Sequence, residues 1–179
     1  THLHFDHCGG GIKWNRDRTK FEPTFRNATY WSNSKHWKWA TEPNDREKAS
    51  FLKDNIMPMQ ESGHLKFADK DGFDGFDYLE VNGHTEAQML PHIKINGKTL
   101  VFMADLLPSV GHIPLAYVMG YDTRPLLTLK EKSTFMEDAA NNEYILYLEH
   151  DPVNECCTVQ HTEKGVRLSE TMSLAEAIS

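Results

Sequence analysis

The sequence predicts an α/β layered domain, and three observations carry that prediction. Strand-like apolar runs recur between stretches with helix-cap signatures. An Asn-Gly dipeptide joins two alternating apolar runs, the pattern of a tight hairpin. The His and Asp residues that could do chemistry lie where strand-like runs end, which is where an α/β scaffold carries its sites. At 179 residues the length fits one domain, residues 1–179, with enough chain for a real core.

The elements follow in order. Residues 25–31 (Phe25 to Trp31) mix aromatic and β-branched side chains and predict a short strand. A helix is expected over residues 34–41, opened by Asn33 or Ser34 as cap, and a second over 46–52, capped by Asn44 or Asp45. Residues 53–75 are polar and Gly/Asp-rich and read as loop. From Phe76 to Val81 polar and apolar residues alternate as in a strand, which leads into a turn at His84. His92 to Phe102 forms a hairpin, with Asn96-Gly97 in a type I′ turn, and its returning strand leads to Asp105. Thr128-Leu129-Lys130-Glu131 has the capping-box pattern of a helix running to about Asn142. A strand over 144–149 ends at His150, and Val159 to Leu168 folds as a hairpin turning at Glu163-Lys164-Gly165. A short helix over 172–178 closes the chain.

Composition narrows the partners. The net charge of −7 argues against sequence-independent nucleic-acid binding, whose affinity comes from Lys and Arg neutralising phosphates. No apolar run approaches the roughly 20 residues a membrane helix needs. Cys8, Cys156 and Cys157 are odd in number and two are adjacent, so no disulfide framework follows. Reduced core thiols and a cytoplasmic setting are the expectation. The match of Asn27-Ala28-Thr29 to a glycosylation site is discounted as a chance pattern.

The most informative stretch is His2-Leu3-His4-Phe5-Asp6-His7, three imidazoles and a carboxylate within six residues. Alternate side chains of an extended segment point the same way, so His2 and His4 can grip one ion. A turn at Asp6-His7 sends the next two donors toward a second ion, and Gly9, Gly10 and Gly11 let the backbone bend tightly behind them.

This motif resembles that of the metallo-β-lactamase superfamily, H-x-H-x-D-H followed by small residues. The resemblance runs from Thr1 to about Pro152. It implies a four-layer αβ/βα sandwich, with the first half of that fold expected upstream of Thr1 and missing from this chain. Family members take further ligands from a Gly-His-Thr turn, an Asp at a strand end and a His at a later strand end. Here these are His84, Asp105 and His150, in that order. The resemblance then implies two divalent metals: His2, His4 and His84 on the first, Asp6, His7 and His150 on the second, and Asp105 bridging both. A nitrogen and oxygen donor set suits Zn²⁺, with Fe, Mn or Co as alternatives.

Two cations sharing a water supply hydroxide near neutral pH for attack on a carbonyl or phosphorus, and Asp6 is a candidate relay of a proton to the leaving oxygen. His4 stands where flavodiiron proteins carry Glu, and Asp105 where zinc β-lactamases often carry Cys, so both activities are disfavoured. Glyoxalase II and tRNA-processing ribonuclease share the full ligand set and remain open. One departure is Thr85-Glu86-Ala87-Gln88, where many members continue Gly-His-Thr with Pro-Gly.

Residues 106–122 resemble the branch of N-acyl-homoserine-lactone lactonases and methyl-parathion-hydrolase-like enzymes, in which a Pro- and aromatic-rich segment borders the substrate. The resemblance therefore favours a small uncharged lactone or ester. Tyr117 and Tyr121 are candidate hydrogen-bond donors to its carbonyl, and Phe21, Trp31, Trp37 and Trp39 suit either an apolar acyl-chain pocket or ordinary packing. His112 is a candidate neighbour of the site. A phosphodiesterase or phosphotriesterase with the same metals, and a non-catalytic metal-binding domain, stand as alternatives. A homodimer is compatible with all of these.

Overall fold

The computed structural model describes all 179 residues, which divide into two units. The first comprises Thr1–Asp74 and Glu86–Gln88, and the second Gly75–Thr85 and Met89–Ser179.

In the first unit a single helical turn, α1 (Phe5–Cys8), is followed by a 3₁₀ turn over Gly9–Gly11. Strands β1 (Ile12–Trp14) and β2 (Phe21–Pro23) form an antiparallel pair, with Trp14 stacked on Phe21. Next come β3 (Tyr30–Ser32), α2 (Ser34–Thr41), α3 (Lys53–Glu61) and β4 (Leu65–Phe67), which pairs parallel with β3. Leu3, Cys8, Ile12, Trp37, Ala40, Phe51, Ile56 and Met59 form its core.

The expected helix over 34–41 is present, and Asn33 caps it by accepting from the Lys35 N–H at 2.9 Å. Three expectations for this unit need correction. The strand expected over 25–31 is confined to Tyr30–Ser32. The Asn44 cap forms, accepting from the N–H groups of Arg46 and Glu47, but residues 45–50 stay a turn. The helix lies instead at Lys53–Glu61, in the stretch read as loop. Its polar start and Pro58 masked it, and burial of Ile56 and Met59 against the core overrides that weak local propensity.

The second unit is built on a six-stranded sheet in the order β10-β9-β8-β7-β6-β5. Its strands are β5 (Asp77–Val81), β6 (Gln88–Ile95), β7 (Lys98–Phe102), β8 (Ile145–Tyr147), β9 (Cys156–Thr162) and β10 (Gly165–Met172). Helix α4 (Pro125–Asn141) carries the chain from β7 to β8, which lie parallel, and α5 (Leu174–Ala177) follows β10. Asn96 and Gly97 both take positive φ, 50° and 79°, as a type I′ turn requires. The hairpin register, Ile95 opposite Lys98, follows from that two-residue loop.

Neighbouring residues split between two cores, as the period of two demands. Val101, Leu146 and Cys157 pack with Phe135, Met136 and Ala139 of α4. Leu100, Ile145 and Cys156 pack with Ala177 of α5 on the opposite face. The sheet is therefore covered on both faces. Helix α4 begins at Pro125, three residues before the Thr128 cap that the sequence suggested. Proline suits the first helical turn, where its missing N–H has no intrahelical partner to lose. No helix is long and apolar enough to cross a membrane.

Leu146 is fully buried at the centre of the larger core. Leu146→Ala is expected to lower unfolding free energy by about 2–5 kcal/mol, read from urea denaturation.

Candidate metal centre

Each unit carries one cluster of the sequence-predicted donors. In the first, His2 and His4 are buried, with His2 Nε2 and His4 Nδ1 3.1 Å apart. The bend expected at Asp6-His7 is the helical turn α1, and it brings the His7 ring to 4.0 Å from that of His2. Asp6 is half exposed beside His7, with Oδ2 3.7 Å from Nε2.

Of the partners of the outward-facing nitrogens, the Glu47 carboxylate sets a tautomer, whereas the Thr1 hydroxyl can donate or accept. His2 Nδ1 lies 3.2 Å from the Thr1 hydroxyl, and His4 Nε2 lies 3.4 Å from Glu47 Oε1. A proton on His4 Nε2 leaves its Nδ1 as an acceptor facing His2 Nε2 at 3.1 Å. Glu47 is itself buried, and its Oε2 accepts from Trp39 Nε1 at 2.7 Å and Asn44 Nδ2 at 2.6 Å. These contacts explain why residues 45–50 do not continue as a helix: the turn points the Glu47 carboxylate inward.

Between the two histidines, the Leu3 N–H donates to His36 Nε2 at 2.8 Å, and His36 Nδ1–H donates to the Glu86 carbonyl. His36 is fully buried, and burial pushes its pKa down to about 3, so the ring stays neutral. Cys8 is core filler: its thiol donates to the Leu3 carbonyl, and burial raises it to about 11. Among the aromatic candidates, Trp37 belongs to the core and Trp39 holds Glu47. Trp31, with Phe25, Tyr30, Met59 and the rings of His2 and His7, lines a pocket of about 360 Å³.

In the second unit Asp105 is buried between two imidazoles. Its Oδ2 lies 3.2 Å from His84 Nε2, and its Oδ1 lies 3.3 Å from His150 Nε2. Strand order explains the convergence. Asp105 and His150 follow the C-terminal ends of the adjacent parallel strands β7 and β8, a pairing that continues in the bond from Met103 N to the Tyr147 carbonyl. Ala104, just before Asp105, is buried with a left-handed φ of 43°. That strained conformation is of the kind that collects at functional sites.

His84 Nδ1 lies 3.0 Å from Oδ1 of buried Asp122, so Nδ1 carries the proton and Nε2 is left as the donor atom. The loop bearing His84 is strapped to α4. Thr123 N and Arg124 N bond the carbonyls of His84 and Gly83, while the Glu131 carboxylate accepts from the N–H groups of Asn82 and Gly83. Glu131 therefore does not close the expected capping box with Thr128. Burial pushes its carboxyl up, against the lowering effect of the two N–H donors.

The supporting roles of Asp122, Glu131, Glu47 and His36 are not legible in the sequence, because each acts through a contact remote along the chain. Tyr117 and Tyr121 are exposed on the segment after Asp105. His112, its pKa lowered by burial, faces the Ser109 hydroxyl at 2.9 Å.

The donors fit a divalent metal. Ligands 2.0–2.1 Å from a tetrahedral zinc stand about 3.3 Å from one another. The His2–His4, His84–Asp105 and His150–Asp105 separations of 3.1, 3.2 and 3.3 Å match that edge. The two oxygens of Asp105 address different imidazoles, which is the disposition a bridging carboxylate needs.

No family model and no curated protein matches the sequence. Solved structures do match. A probable metal-dependent hydrolase from Staphylococcus aureus superposes with a TM-score of 0.80 at 23% identity, over 96% of this chain and 60% of that one. Hydrolase AbOPH, of the β-lactamase superfamily, gives 0.77 at 21% identity, over 96% and 62%. AidC, a dizinc quorum-quenching lactonase in complex with its product, gives 0.74 at 18% identity, over 97% and 63%. The fold is therefore that of the metal-dependent hydrolases of the β-lactamase superfamily, whose structures include N-acyl-homoserine lactonases. The chain spans about three fifths of the length of these structures.

Two predictions follow from this geometry. A Cβ on Gly83 would fall 2.3–2.6 Å from the hydroxyl, N and Cα of Thr128. Gly83→Ala should displace the His84 loop and cost about 1–3 kcal/mol in thermal or urea unfolding. His36 protonates near 6.5 when unfolded but only near 3 when folded. Its contribution to stability is therefore present above pH 6.5 and is lost as pH falls toward 3. His36→Gln should flatten the decline in unfolding free energy over that window.

Proposed function

We propose that this chain carries the metal site of a dinuclear hydrolase that opens lactones or cleaves related esters. The observation that carries the reading is Asp105, with a different imidazole beside each carboxylate oxygen. The motif of residues 2–7 and the fold shared with a dizinc lactonase support it.

In this reading His2, His4 and His84 hold one ion, Asp6, His7 and His150 hold a second, and Asp105 joins them. Zinc is the preferred metal for these donors. When bound, the pair supplies hydroxide at neutral pH and Lewis acidity toward the developing oxyanion. The chain's own residues do the rest. Asp122 and Glu47 keep His84 and His4 in the tautomers that aim their lone pairs inward. Asp6, half exposed, is placed to pass a proton to the leaving oxygen. Tyr117 and Tyr121, exposed on the segment after Asp105, are the candidate donors to the substrate carbonyl. A small uncharged substrate suits the acidic chain and the aromatic pocket beside His2 and His7.

The test pairs elemental analysis with a pH-stat assay of lactone opening. Two metal equivalents and turnover of an acyl-homoserine lactone are expected. His150→Ala should lose about one equivalent and at least about a hundredfold in rate; rates equal to wild type would sink the assignment of the second ion. Preference for paraoxon or bis-nitrophenyl phosphate would move the substrate to phosphoesters. Two bound metals without hydrolysis of any ester would favour a binding domain.

A further inference from the structure

Lys132 is the largest side chain buried nearly completely, at 1% exposure, and nothing in the proposed chemistry uses it. It projects from α4 into the segment that follows Asp105. Its ammonium donates to the carbonyls of His112 at 2.9 Å, Pro114 at 3.4 Å and Tyr117 at 2.5 Å. An ammonium has three N–H donors, and the three carbonyls use all of them. Burial pulls its pKa down to about 8, with Asp122 the carboxylate that favours the charge, so it remains protonated at neutral pH. His112, whose carbonyl it binds, and Asp122 are titratable groups at this place.

Leu107 and Ile113 of the segment it grips are in the core, and Asp122 holds His84, but the stretch has little regular structure. Residues 107–124 carry no regular structure beyond the 3₁₀ turn Val110–His112 and isolated turns, such as Tyr117 N to the Pro114 carbonyl at 3.0 Å. Its start is anchored where Val110 N donates to Asp151 Oδ2 at 3.0 Å, and its end by the bonds of Thr123 and Arg124 to the His84 loop. Between those anchors, Lys132 draws three carbonyls inward. Leu115 and Tyr117 are thereby left facing outward, at 43% and 60% exposure. The adjacent residue on α4, Glu131, grips the N–H groups of the His84 loop. Two successive helix residues of opposite charge thus bind backbone of opposite polarity in two different loops.

We propose that Lys132 is a positioning residue which, through the carbonyls of residues 112, 114 and 117, sets the pose of the Leu115–Tyr117 edge presented to substrate. The backbone role stands on the geometry alone; only its consequence for substrate rests on the hydrolase reading. The Lys132 ammonium bonds three backbone carbonyls, none of them of a proposed metal donor, so its loss should spare the metals while loosening this edge.

The experiment compares wild type, Lys132→Met and Lys132→Arg, each loaded with zinc. Hydrogen exchange of the segment's hydrogen-bonded amides, Ile113 and Tyr117, is the primary readout. In Lys132→Met these should exchange at least about tenfold faster while β7 and β8 keep wild-type protection. Arginine, with its charge and donors retained, should restore most of the protection. Unchanged exchange at Ile113 and Tyr117, or an equal rise throughout the sheet, would overturn the proposal.

The second readout is kinetic. With a lactone substrate, KM should rise by about tenfold in Lys132→Met with kcat and zinc content near wild type. Faster exchange with an unchanged KM would overturn the substrate-edge role. Absence of turnover in wild type would instead count against the hydrolase reading, and the exchange comparison would still decide the backbone role. Should Lys132→Met fail to fold, Lys132→Gln, which retains an amide donor, carries the same comparison.

Discussion

Buried imidazoles can serve as metal donors only if each ring has one nitrogen held by a partner, so that the other presents a lone pair. This constraint organises both clusters. Asp122 holds His84, Glu47 holds His4, and the Thr1 hydroxyl lies at His2. A neutral ring left to rotate would expose either nitrogen to either side, and its donor direction would be lost. The partners are themselves buried or hydrogen-bonded, so the orientation is set by packing.

Backbone placement follows the same logic on a larger scale. Adjacent parallel strands β7 and β8, joined through α4, deliver Asp105 and His150 to the same end of the sheet. The His84 loop needs a different device, since it leaves an edge strand. Here α4 serves as the platform: it takes Gly83 in close contact at Thr128 and binds the loop N–H groups through Glu131. In the first unit, His36 does a comparable job from α2 by bonding the backbone between His2 and His4. None of these supporting groups needs to titrate or react. Their effect is to remove the freedom of the residues that would.

The likeness to solved hydrolases is strong in fold and weak in sequence, with identities of 18–23%. Fold alone does not set chemistry, which resides in sites carried on it. The donor separations within each unit are what support hydrolysis as a proposal, and the segment after Asp105 is what supports its substrate class. That segment is held at its ends by Asp151 and the His84 loop and in its middle by the Lys132 ammonium.

Much of this was legible in the chain itself. The Asn96-Gly97 turn, the Asn33 cap, the terminal hairpin and the donor cluster of residues 2–7 are local patterns, set by φ preferences and by residue types a few positions apart, whereas His84, Asp105 and His150 follow only from the family resemblance. The sequence by itself thus determined the α/β class, the hairpin register and which residues could bind metal. Tertiary structure alone decided the rest: that α3 forms across Pro58, that residues 45–50 stay a turn, and that Glu131 and Lys132 turn to loops far away in sequence. In each case a buried contact distant along the chain outweighs a local propensity of a few tenths of a kcal/mol, roughly, per residue. No pattern within a short window can register such a contact.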